Sequence, residues 1–79
     1  MGAPNKNRQK ELKKLGEHLK HLREQRGMSL RDVSYGCTVD YSKLSKIENG
    51  NINIAFTTLL ELAKAFEITP SQLLDFPTE

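Results

Sequence analysis

At 79 residues the chain has room for one domain, and a domain of this size buries only about 60% of its unfolded surface, so a large active-site cavity is not expected. A hydrophobic share of 37% with 28% charged residues excludes the composition of disordered chains. The net charge of +2 conceals an asymmetry, with +5 over residues 1–27, balance over 28–54 and −3 over 55–79; one end suits a polyanion, although a solvated charged helix gives the same counts.

Residues 1–10 hold Gly, Pro, Asn and basic side chains without periodic apolar positions, which predicts a flexible basic arm, able to track phosphates or without a function. Charged residues stand where a secretory signal would be apolar, Lys6 stands where a myristoylation signal has Ser or Thr, and no apolar run approaches the roughly 18 residues of a spanning helix. These readings predict a soluble cytoplasmic protein without membrane contact. From about residue 11 the pattern changes. Leu12, Leu15, Leu19 and Leu22 form one helical stripe, and Gly27 suits a left-handed end.

Ser29 is placed to cap a second, short helix by accepting from the Asp32 amide. Its apolar positions are Leu30, Val33 and Cys37, and a tight connection over Cys37 to Val39 leads to Asp40, the cap of a third helix from Tyr41 to about Asn49. Cys37 is the only cysteine, which excludes an intramolecular disulfide and a Cys-rich zinc site and fits a reducing compartment. Asn49-Gly50-Asn51 stops the third helix. Phe56, Leu59, Leu60, Ala63 and Phe66, widened by Leu62, predict a fourth helix, and Thr69-Pro70 opens a short fifth. The expected organisation is all-α: an arm at 1–10, a five-helix domain at 11–76 and a tail at 77–79.

With Leu44 and Ile47 turned inward, the other side of the third helix presents Ser42, Ser45, Lys46 and Asn49, with Tyr41 and Lys43 at its margins. Two helices joined at a steep angle let one project into a groove, and the major groove of B-DNA, ~12 Å wide, admits a helix. Short hydroxyls permit close approach, while Lys and Asn match base acceptors. An ordinary solvated helix face has the same composition. His18 and His21 on the first helix read as solvated, since no Cys or carboxylate forms an inward cluster with them, and Cys37 reads as a core residue. No cofactor, metal site or catalytic grouping is expected.

The stretch LGEHLKHLREQRGMSLRDVSYGCTVDYSKLSKIENG, followed by LLELAKAFEITPSQLL, resembles the XRE-type helix-turn-helix family of phage Cro and repressor proteins, over about Leu15 to Leu74. The resemblance implies a repressor-like DNA-binding fold with the motif at helices two and three. It implies base reading by Tyr41, Ser42 and Lys46, with Lys43 nearby, and phosphate contacts by Ser29, Arg31, Asn49 and Asn51. It also implies an ion pair of Arg23 with Glu48 that locks the reading helix and turns the guanidinium toward a phosphate. A homodimer on double-stranded DNA follows, with Leu60, Leu73, Phe76 and the acidic C-terminal segment as its interface. Three positions depart from the family pattern. Leu30 replaces a frequent Gln, Ser34 a habitual Ala, and Thr38 the turn glycine, where a positive φ would strain a β-branched residue. Together with Asp40, which would repel phosphate, Leu30 and Thr38 keep open a protein-binding adaptor or antitoxin-like role on the same fold.

Overall fold

The computed structural model describes residues 6–77, with side chains from residue 8 onward. Five helices follow one another: α1 (Lys6–Gln25), α2 (Leu30–Tyr35), α3 (Tyr41–Glu48), α4 (Phe56–Ala65) and α5 (Pro70–Leu73). Among the described residues there is no strand, and no helix is long and apolar enough to cross a membrane. The core joins Leu15 and Leu19 of α1 to Val33, Val39, Leu44, Ile47, Leu62, Ala63, Phe66 and Leu73. Each helix therefore contributes one apolar stripe to one centre, as short amphipathic helices must if none can bury its face alone.

Local chemistry fixes most of the boundaries. Ser29 and Asp32 form a reciprocal capping box on α2, Asp40 caps α3 by accepting from the Lys43 amide at 2.9 Å, and Thr69 with Gln72 repeats the box on α5 ahead of Pro70. Gly27 holds a φ of +63°, the left-handed end expected after α1, and Gly50, in the stop expected after α3, holds +72°.

Several expectations are revised. The arm expected over residues 1–10 is helical from Lys6 on, because Lys, Arg, Gln and Glu are good helix formers and can extend a helix anchored further along by Leu15 and Leu19; Met1 to Asn5, like Thr78 and Glu79 of the expected tail, lie outside the described residues. Helix α2 stops at Tyr35, so Cys37 sits in the link to α3 rather than on a helix. Its thiol is half-buried, 3.4 Å from the Val33 carbonyl and 3.8 Å from that of Val39. Phe56 is 68% exposed, and Thr58 takes the inward place on α4 beside Leu62 and Ala63. Leu73 is 0% exposed and belongs to the core, which removes it from any interface. His18 is not solvated: its ring lies 4.9 Å from that of Phe76 and its Nε2 is buried, while His21 is exposed.

Thr38 also departs from its expectation. The one non-glycine residue with positive φ among those described is Glu67, at the end of α4, so the α2–α3 link makes no left-handed turn at Thr38. Instead the Thr38 hydroxyl and amide donate to the Glu61 carboxylate at 2.6 and 2.9 Å, tying the link to α4. The hydroxyl first, then the amide, holds the Glu61 carboxyl below the usual carboxylate range. A lowered carboxyl stabilises the fold fully above that range and loses its contribution as the pH falls through it. Glu61→Gln is therefore expected to flatten the acid limb of a melting-temperature profile recorded from neutral pH to below about pH 4. An unchanged acid limb would remove Thr38 and Glu61 as its source.

Candidate nucleic-acid interface

Helix α3 is fixed from one side and open on the other. Leu44 and Ile47 are buried, while Tyr41, Ser42, Lys43 and Lys46 are exposed, as is Asn49 just beyond the helix. Ser45 is half-buried and stands further from the outer ridge than the helical wheel alone suggests. Ser29, Arg31 and Asn51 are exposed at the start of α2 and after α3. All the sequence-derived candidates but Ser45 are thus open to solvent.

Two of them meet directly. The Arg31 guanidinium carbon lies 5.2 Å from the centroid of the Tyr41 ring, so a cation over an aromatic face joins the first turns of the two helices. Ser29 is partly committed to its own helix. Its amide donates to Asp32 at 2.8 Å and its hydroxyl oxygen accepts from the Asp32 amide at 3.1 Å, which leaves the hydroxyl hydrogen for an external acceptor. The Ser29 amide, and then its hydroxyl, holds the Asp32 carboxyl below its ordinary range. Asp40, at the entrance to α3, accepts from the Lys43 amide, where the positive end of the helix compensates part of its charge.

The frame behind α3 rests on Arg23 and Glu48. Arg23 Nε donates to Glu48 Oε2 at 2.7 Å and Nη2 to Oε1 at 3.2 Å, a two-pronged pair whose side chains are only 13% and 12% exposed. Nη1 donates to the Met28 carbonyl at 2.8 Å, so the same guanidinium also holds the turn between α1 and α2. The Glu48 hydrogen bond raises the Arg23 pKa further above its already high value. Each side-chain nitrogen of Arg23 donates within the protein, which leaves one hydrogen on each terminal nitrogen for anything outside.

Sequence reasoning passed over Gly16. A Cβ built there would lie 2.4 Å from the Glu48 carbonyl oxygen and 2.6 Å from that of Ile47, so α1 meets the end of α3 at backbone distance. The signal was available, since a glycine inside an otherwise regular helical stripe costs about 1 kcal/mol against alanine and calls for a packing reason.

A family profile described as a helix-turn-helix domain matches residues 14–76. The chain is 37% identical over 62 residues to the HTH-type transcriptional regulator DdrOP3 of Deinococcus deserti, a match that covers 78% of this chain and 48% of that protein, so the chain spans about half the length of this relative. It is 28% identical over 64 residues to the control protein C.BamHI of Bacillus amyloliquefaciens, with 80% and 79% of the two chains covered. Among solved structures, the restriction-modification controller protein C.AhdI of Aeromonas hydrophila superposes with a TM-score of 0.76 at 32% identity, over 78% of this chain and 94% of that one. The five-helix fold, the capped α2 and α3 and these relatives agree: the chain belongs to the helix-turn-helix domain family.

Proposed function

We propose that the chain is a sequence-specific double-stranded DNA-binding transcriptional regulator of the controller or repressor kind, working in the cytoplasm with α3 seated in the major groove. One observation carries this reading: α3 buries only Leu44 and Ile47, and its outer side offers Tyr41, Ser42, Lys43 and Lys46 with no covering chain among the described residues. A regulator and two controllers among the relatives support it. Ser29, Arg31, Asn49 and Asn51 flank the reading residues as phosphate contacts.

Lys46→Ala and Ser42→Ala are each expected to weaken binding to a duplex enriched from a random-sequence library by ~1–3 kcal/mol, with a smaller loss on unselected duplex. Fluorescence anisotropy titration measures both. Equal losses on the two duplexes would remove base reading from these residues.

A homodimer completes the reading, because one helix spans few base pairs and two half-sites one turn apart multiply discrimination. Leu60 and Phe76 remain its candidates, both half-buried, and the exposed Phe56 and Leu74 add apolar surface to the same half of the chain. The adaptor reading drew on Leu30, Thr38 and Asp40. Each now has a place in the fold, Leu30 packed against the core, Thr38 bonded to Glu61 and Asp40 capping α3.

A further inference from the structure

Gln9, Lys13, Glu17 and Lys20 follow one another on α1 at steps of four, four and three residues and so share one face of that helix. All four are exposed. Gly50 sets this face against the segment leaving α3, for a Cβ at Gly50 would come within 2.8 Å of the Lys13 Cα. Two open clefts run along the junction. Gln9, Lys13, Gly50 and Asn51 border one, and Lys13, Lys20 and Asn49 border the other together with Glu17 and Glu48. Lys13 stands between them, and the two asparagines are those assigned above to phosphate.

Lys13 and Lys20 are about 10 Å apart along the helix axis, and each carries a mobile point charge without the planar fork that reads a base edge. Glu48 is engaged by Arg23, which leaves Glu17 as the opposing charge between the two lysines. We infer that Gln9, Lys13 and Lys20 form, with Asn49 and Asn51, a second track for the DNA backbone alongside the reading helix, with Glu17 weakening it. The inference rests on the DNA-binding reading and adds a sequence-independent contribution to it.

Salt-dependent titration of the full chain tests it, using the enriched duplex and an unselected pool from the same library. Lys13→Ala and Lys20→Ala should each weaken both duplexes several-fold by the same factor and reduce the slope of log affinity against log salt by about one, leaving the ratio between duplexes unchanged. Glu17→Gln should tighten both. These exposed helical substitutions leave the fold intact, checked by unchanged thermal melts. An unchanged slope in both lysine variants, while Lys46→Ala still loses selectivity, overturns the track and spares the reading helix. A loss confined to the enriched duplex also overturns it. Failure of the unsubstituted chain to bind either duplex overturns the track and the DNA-binding reading together.

Discussion

Gly16→Ala is expected to destabilise the fold by about 2–3 kcal/mol, which for a domain of this size lowers the melting temperature by roughly 10–20 °C. The added methyl meets two carbonyl oxygens of the α3 backbone, at 2.4 and 2.6 Å, and a backbone cannot swing aside as a flexible side chain does. Alanine's better helix propensity, about 0.5–1 kcal/mol, offsets only part of this overlap. Relief requires α1 and α3 to move apart, which disturbs Leu44, Ile47 and the Arg23–Glu48 pair together. Gly27→Ala supplies the comparison. Nothing lies within 4 Å of a Cβ there, and only the positive φ opposes it, so its cost should stay near about 1–2 kcal/mol. Thermal or urea unfolding of both variants decides the matter, and a Gly16→Ala loss no greater than that of Gly27→Ala would mean that the α1–α3 contact is not close in solution.

Glu48→Ala is the second large effect, expected to cost about 1.5–3 kcal/mol because it strands a guanidinium that is mostly covered by protein. Arg23→Ala should cost at least as much, since it also frees the Met28 carbonyl. The double variant should lose clearly less than the two single losses combined, because neither residue is then left without its partner. A coupling below about 0.5 kcal/mol in a double-mutant cycle would place this pair with ordinary surface ion pairs. DNA binding should fall in both single variants even at temperatures where they remain folded, since the end of α3 loses its tie to α1.

The fold was legible where one residue type answers one local requirement. Ser29, Asp40 and Thr69 as caps, Gly27 as a left-handed end and Gly50 as part of a stop could be read because an unpaired helix amide or a positive φ has few solutions. The exposed side of α3 was legible for a similar reason, since Leu44 and Ile47 leave a single inward orientation. What escaped depends on the packing of remote segments. The start of α1 carries no apolar marker, and its helicity comes from propensity and a distant anchor. Phe56 looked inward by spacing, but α4 is rotated so that Thr58 is covered. Leu73 looked available for an interface and His18 looked solvated until α5 and Phe76 were placed against the rest. Thr38 gave no hint of Glu61, 23 residues away. The basic flank of α1 appeared only as net charge, because its alignment with Asn49 and Asn51 depends on the close approach of Gly50.

The way α3 is held has a consequence for how such a molecule diversifies. Two aliphatic side chains, one aspartate at the entry, one carboxylate at the exit and the Tyr41 ring under Arg31 do most of the fastening. Ser42, Lys43 and Lys46 are left without a share in it, so they behave as lettering on a fixed bar. On the DNA-binding reading proposed above, exchanging them changes the target while the bar keeps its seat, so a new specificity costs the protein almost nothing in folding.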